Sequence, residues 1–244
     1  MPEGPSIIIL KEELLPFKGK KVIEVSGNSK QDIQRIKGKK IFDFQSWGKH
    51  TLIQFQDFFV KIHLLMFGSY RINERKEERE PRLSLKFAKG EINFYSCAVT
   101  IFEGQTKDIY NWTTDIMSEN WDPEAAYKKL KSMPDTLVCD ALLDQNIFSG
   151  VGNIIKNEVL FRIRVHPSST IGALPSRKLR ELIEDAHTYS FLFLEWKKAY
   201  TLKKHWQVHT KKECPRDHEK VKKEYLGKTH RRTFFCEKCQ ILYL

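Results

Sequence analysis

The sequence predicts an α+β protein with an N-terminal helix, a β-rich first half, a helical second half and a small metal-binding module at the end. Three observations predict it. From Lys20 to about Phe102, apolar residues recur in short runs broken by turn residues, which is a strand pattern. After Gly104 the apolar spacing becomes helical. The segment 205–244 then gathers cysteines and histidines at metal-ligand spacing.

Each element follows in order. Residues 6–15 have helical apolar spacing and stop before Pro16, which disfavours helix at the residue preceding it. Eight β-type runs follow, at 21–25, 40–44, 51–55, 58–63, 69–72, 83–87, 91–94 and 99–102. Lys89-Gly90 between the seventh and its predecessor reads as a tight hairpin, and the charged stretch 73–82 as an exposed loop. So many short strands in one stretch indicate a sandwich or a barrel. Asp122-Pro123-Glu124 is an N-cap followed by proline at the first helical position, and it starts a helix to about Lys131. Further helices fit 136–143, 154–161 and 175–200. The chain therefore divides into a β domain over 1–103, a linker over 104–121, a helical domain over 122–204 and the metal module over 205–244. No internal repeat is evident.

The 244 residues are 41% hydrophobic, with 16 Phe, which is enough for a sizeable core. No run of about 18 apolar residues exists, so no transmembrane helix is predicted. Residues 1–15 lack the basic start, apolar run and cleavage site of a secretory signal. An odd number of cysteines in such a chain argues against a disulfide framework. The net charge is +11, and nine of those charges arise between Lys197 and Arg232. That concentration points to a polyanionic partner, nucleic acid more than membrane, because no long basic amphipathic helix is present.

Two stretches suggest specific chemistry. If Met1 is removed, Pro2 exposes a secondary amine that titrates like other α-amino groups, at about 7.7–8.0. Such an amine can attack an electrophilic carbon and form an iminium ion, and Glu3 sets a carboxylate beside it for proton transfer. Taken alone, the stretch also fits a frayed end. In the metal module, Cys214, His218, Cys236 and Cys239 fall as Cys-x3-His-x17-Cys-x2-Cys. Four ligands with no open position describe one structural zinc ion, with His209 and then Asp217 the alternatives to His218. Cys97 and Cys139 read as buried apolar residues. The basic, aromatic-flanked stretch 230–235 directly before Cys236 suits phosphate contacts. Residues 142–158 read as two helices joined by a glycine-bearing turn, in which Gly150 and Gly152 let backbone N–H groups approach phosphate and Asn153 adds a polar side chain.

Three motifs, Met1-Pro2-Glu3-Gly4-Pro5, the segment 144–158 and Arg231 followed by Cys236-x2-Cys239-Gln240, resemble in the same order the formamidopyrimidine-DNA glycosylase / endonuclease VIII family. The resemblance covers essentially the whole chain. It implies an N-terminal helix plus an eight-stranded β-sandwich, then a helical domain with a helix–two-turn–helix and a zinc-ribbon hairpin. It also implies a base-excision repair DNA glycosylase with AP lyase activity. By resemblance Pro2 is the nucleophile at the sugar C1′ and Glu3 manages protons at the opening ring. Lys49 grips phosphate and donates a proton in β-elimination, and Arg231, with Arg232 as the adjacent fallback, holds a phosphate and serves δ-elimination. Asn153, with Gly152, binds backbone phosphate. Leu65, Met66 and Phe67 match the wedge that fills the gap left by an extruded nucleotide; without the resemblance they read as core. The region 94–99 lacks the Asp-Pro-Arg-Arg-Phe-like segment of the formamidopyrimidine branch, which favours the endonuclease VIII side and oxidised pyrimidines. The expected partner is double-stranded DNA bearing damaged bases or abasic sites, for a monomer located in the cytoplasm and held at the nucleoid through DNA. The rival readings are a non-catalytic zinc-ribbon DNA-binding protein of the same fold, and an RNA-binding, ribosome-associated protein. Pro2, Glu3 and Lys49 together separate the enzyme from both.

Overall fold

Proline is tolerated in the first turn of a helix, where its missing N–H has no partner to lose. Pro5 occupies that place in helix α1, Gly4–Leu14, in a computed structural model that describes residues 2–244. The helix therefore starts two residues earlier than the apolar spacing alone indicates. Ile7, Leu10 and Leu14 lie one above another along one face and are fully buried. That face packs on the strands β2 (Asp43–Trp47) and β3 (His50–Gln54).

The first of two compact units ends at Asn111. Besides β2 and β3 it contains β1 (Glu24–Ser26), β4 (Phe58–His63), β5 (Ser69–Ile72), β6 (Leu83–Lys86), β7 (Glu91–Tyr95) and β8 (Ala98–Glu103). They form two antiparallel four-stranded sheets, β1-β6-β7-β5 and β2-β3-β4-β8. All eight predicted strands are present, with ends shifted by a few residues. One continuous apolar cluster, running from Ile7 through Phe44, Ile62, Leu85 and Phe94 to Val99, fills the space between them. Burial alternates along β2, whereas β3, β4, β6 and β7 are buried along most of their length.

The second unit begins at Trp112, inside the stretch predicted as linker. Asp122 caps helix α2 (Pro123–Lys131) by accepting from the backbone N–H groups of Glu124 and Ala125 at 3.0 and 2.9 Å. Three further helices follow, α3 (Val138–Ala141), α4 (Asn153–Arg162) and α5 (Ser176–Lys198), and then a hairpin of β9 (Lys222–Leu226) and β10 (Arg231–Phe235). Arg162 and Asp185 tie α4 to α5 through a two-pronged ion pair, with the shortest N–O distance 2.8 Å.

The predicted metal module is not a separate body; it is part of this unit. Glu158, fully buried on α4, is the main reason. Its carboxylate accepts from the backbone N–H groups of Gln207, Val208 and His209 at 2.9, 3.0 and 2.7 Å. One side chain thus satisfies three successive backbone donors of the segment that leads into the ribbon. Replacing Glu158 with Ala leaves those donors without an acceptor. The expected loss is about 3 kcal/mol of unfolding free energy, measured as a fall in the urea midpoint at constant slope.

Candidate functional site

The first unit carries four of the predicted groups. Pro2 is partly exposed and Glu3 fully buried, and Glu3 is the N-cap of α1 in extended conformation. Helix N-termini favour negative charge, so a carboxylate is electrostatically at home there. Met1 lies outside the described residues.

Lys49 stands on a hairpin tip. Trp47 and His50 pair across β2 and β3, so Gly48 and Lys49 are the two loop residues between them. Gly48 has φ +53°, and Lys49 does not share the left-handed region. Glycine at the first central position is the requirement of a type II′ turn, whose twist matches its strands. Lys49 is therefore presented by a rigid two-residue turn.

Beneath that turn lies a cluster that the sequence reading missed. His50 and His63 pair across β3 and β4, with ring centroids 5.1 Å apart. The Tyr110 hydroxyl lies 3.4 Å from His50 Nδ1, and Trp47 packs against Tyr110 while its Nε1 donates to the Asn111 carbonyl at 2.9 Å. Burial, reinforced by the charges of His63, Lys61 and Lys49, pushes the His50 pKa down to about 3. Burial also lowers His63, with Lys49 and Lys61 adding to the effect. Both rings are neutral near pH 7, so the positive charge beside them belongs to the lysines. Alternation around a two-residue turn was the available signal, since it places His50 and His63 on one face.

Leu65, Met66 and Phe67 follow β4 in the turn 64–68. They are 47%, 53% and 82% exposed, so the core reading does not hold for them. Gly68 donates to the Leu64 carbonyl at 2.7 Å, and a Cβ at Gly68 would lie 2.0 Å from that oxygen. Only glycine closes this turn, and closing it holds three apolar side chains in water while Leu64 stays buried.

In the second unit, the turn between α3 and α4 is organised by Gln145. Its amide Nε2 donates to the carbonyls of Leu143 and Val151 at 2.8 and 3.1 Å, and its oxygen accepts from Gly150 N–H at 3.2 Å. Gly150 has φ +103°. Gly152 is the N-cap of α4. Asn153 donates from Nδ2 to the Arg232 carbonyl at 2.7 Å, so the structure brings these two predicted residues together. Arg231 and Arg232 open β10. The hairpin tip before them is gripped by Asp140 of α3, whose carboxylate accepts from Lys228 N–H at 3.0 Å.

The predicted metal ligands need one correction. The cluster consists of Cys214, Asp217, Cys236 and Cys239, with all ligand atoms within 4.8 Å of one another. His218 is not in it. The side chain of His218 is 80% exposed, and its Nδ1 lies 2.7 Å from Glu213 Oε1. The reason is local geometry. A Cys-x2 spacing carries residues i and i+3 to one side of a tight turn, as it does for Cys236 and Cys239, while residue 218 takes the left-handed conformation that ends the turn, with φ +60°. His209, the other alternative, pairs with Asn157 Nδ2 at 3.0 Å instead. The Cys214 and Cys239 sulfurs are 3.8 Å apart, and Cys236 Sγ lies 3.3 and 3.4 Å from the Asp217 oxygens. A tetrahedron with metal–sulfur bonds of about 2.3 Å has sulfur–sulfur edges of roughly 3.8 Å, so the spacing fits such an ion. Arg216 donates to the Phe161 and Arg162 carbonyls at the end of α4 and to Cys239 Sγ, joining the cluster to that helix.

Comparison with known proteins agrees with this arrangement. Residues 1–98 match the model of the formamidopyrimidine-DNA glycosylase N-terminal domain, and residues 113–189 match that of the formamidopyrimidine-DNA glycosylase H2TH domain. The chain belongs to the formamidopyrimidine-DNA glycosylase / endonuclease VIII family. Among curated relatives, it is 31% identical to endonuclease 8-like 3 of Xenopus laevis over 90% of this chain, and 28% identical to endonuclease 8-like 2 of Bos taurus over 98% of this chain and 96% of that protein. The chain spans only 38% of the length of the Xenopus laevis relative. The fold is shared with Lactococcus lactis formamidopyrimidine-DNA glycosylase, solved non-covalently bound to DNA containing an AP site, at TM-score 0.85 and 22% identity over 98% of this chain and 99% of that one.

The neutral His50 has a consequence for pH. Its folded pKa of about 3 lies below its unfolded value near 6.5. The unfolded chain takes up a proton in that window and the folded chain does not, so stability is full above pH 6.5 and falls as pH drops toward 3. Urea unfolding of His50→Gln is expected to show a shallower decline than the unmodified protein between pH 6 and pH 4; parallel curves would contradict the assignment.

Proposed function

We propose that this chain is a base-excision repair DNA glycosylase with AP lyase activity, acting on duplex DNA that carries oxidised bases or abasic sites. The observation that carries this reading is Glu3, fully buried next to Pro2 at the start of α1. A buried carboxylate is held against a desolvation penalty on the order of several kcal/mol. Binding DNA has no need of one, whereas opening a sugar ring with an amine needs a proton carrier within reach.

Pro2, freed of Met1, attacks C1′ of the damaged nucleotide with its nitrogen lone pair. The base departs with the electrons of the glycosidic bond and takes up a proton. Glu3 moves the proton at the opening ring, and an iminium ion remains. Loss of a proton from C2′ then expels the phosphate on the 3′ side, assisted by Lys49. A second elimination, assisted by Arg231, expels the phosphate on the 5′ side, leaving a gap with phosphate at both ends. Asn153, Gly152 and Arg232 hold the backbone. Leu65, Met66 and Phe67 fill the vacated stack, a role supported by their exposure on a turn that only glycine closes. The endonuclease 8-like relatives and the sequence of residues 94–99 favour oxidised pyrimidines as the lesion.

Cys214, Asp217, Cys236 and Cys239 hold one zinc ion in this reading. With all four positions taken by protein groups the ion is structural, and it supplies the rigidity of the ribbon. Burial raises the three thiols, with the Asp217 carboxylate adding to it at Cys214 and Cys236 and Cys214 adding to it at Cys239; a bound divalent cation would reverse that preference and hold them as thiolates.

Borohydride reduction on an abasic-site oligonucleotide tests the mechanism. A covalent adduct is expected with the processed protein and none after the Pro2 nitrogen is acylated; an equal adduct after blocking would exclude Pro2 as nucleophile. Glu3→Gln is expected to slow base release by about 100-fold or more in single-turnover assays. Elemental analysis should give one zinc per chain. Asp217→Ala should weaken its retention against a chelator, and His218→Ala should leave retention unchanged.

A further inference from the structure

Lys156 is an unusual residue to find on the inner face of a helix. It is 1% exposed on α4, and its Nζ donates to the Thr233 hydroxyl at 2.7 Å. Thr233, also 1% exposed, lies in β10. Its hydroxyl in turn donates to the carbonyl of Arg231 at 3.0 Å. The carbonyl of the next residue, Arg232, accepts from Asn153 at 2.7 Å. Both arginines are therefore held by their backbone from the same helix, one directly and one through an intermediate hydroxyl.

The chemical character of Lys156 matters here. A threonine hydroxyl carries one proton and can point it several ways, whereas an ammonium group has three donors and no acceptor. Facing a donor-only group, the Thr233 hydroxyl must accept from Lys156, which leaves its proton directed at Arg231. A glutamine or a water in the same place could accept as well as donate and would leave the hydroxyl free to turn. Desolvation opposes burying a cation, and one contact that the buried ammonium makes is to the Thr233 hydroxyl.

We infer that Lys156 is a positioning residue that acts through the Thr233 hydroxyl to fix the backbone of Arg231, and so sets the direction from which its guanidinium meets the DNA phosphate. The inference rests on the proposed AP lyase reading and deepens it. Because Arg231 serves the second elimination there, the disturbance falls on one step. Pro2, Glu3 and Lys49 are untouched, so base release and the first elimination proceed.

Single-turnover cleavage of an abasic-site duplex by the full chain tests this, with the products of one and of two eliminations resolved on a gel. Thr233→Val removes the hydroxyl at nearly constant volume and is expected to lower the ratio of double to single elimination at least about tenfold, with borohydride trapping within about twofold of the unmodified protein. Thr233→Ser restores the hydroxyl and should restore the ratio, which a packing defect would not allow. Lys156→Met should reproduce the Thr233→Val defect, and the double variant should be no worse than either single one. An unchanged ratio in folded, zinc-loaded Thr233→Val overturns the inference, as does a Thr233→Ser variant equal to Thr233→Val. If the unmodified protein forms no trapped adduct, the lyase reading fails instead. Positioning is then judged by affinity for a duplex with a non-cleavable abasic analogue, expected to weaken in Thr233→Val and recover in Thr233→Ser; equal affinity for all three overturns it.

Discussion

The polar face of α4 decides how the second unit is built. Asn153, Lys156, Asn157 and Glu158 occupy a helix whose neighbours Ile155, Val159 and Leu160 are already committed to the apolar core. Each polar member reaches the C-terminal segment: Glu158 takes three backbone donors, Asn157 pairs with His209, Lys156 binds Thr233 and Asn153 binds the Arg232 carbonyl. Polar groups on a buried helix face cost free energy unless they find partners. Here the partners belong to the ribbon, so the helix and the ribbon must fold as one.

The same economy of means appears in the first unit at smaller scale. Gly48 permits a two-residue turn that places Lys49 at its tip, and the turn places His50 opposite Trp47. Pairing across β3 and β4 then sets His63 edge-on beside His50. Both imidazoles are pushed toward their neutral form by burial, so they add no positive charge beside that turn near pH 7. Turn chemistry, register and local electrostatics are thus linked through a few residues.

Much of this was legible in the sequence. The eight strands, the Asp122 cap and the Cys236-x2-Cys239 knuckle each have a local cause, a period, a capping oxygen or a fixed spacing. What escaped had a non-local cause. The choice of Asp217 over His218 depends on which residue of a five-residue turn goes left-handed, whereas residue type alone ranks histidine above aspartate as a zinc ligand. The joining of ribbon and helices depends on Glu158, which in sequence is one more charged residue in a helix. Leu65, Met66 and Phe67 are apolar and therefore resemble core, until the closure of the turn by Gly68 fixes their exposure. Lys156 and Thr233 stand 77 residues apart, and no periodicity connects them.

The carboxylate in the cysteine cluster also changes how the ribbon meets an oxidant. Four thiols could be emptied in pairs, releasing the ion and leaving two crosslinks. Three thiols and one aspartate cannot all be paired off: any one disulfide, such as one between the sulfurs of Cys214 and Cys239, 3.8 Å apart, leaves one cysteine of the cluster as a lone thiol. A single reductive exchange then restores all three thiols, whichever pair has combined. An odd number of sulfurs thus limits the cluster to one internal crosslink at a time, and one exchange undoes it.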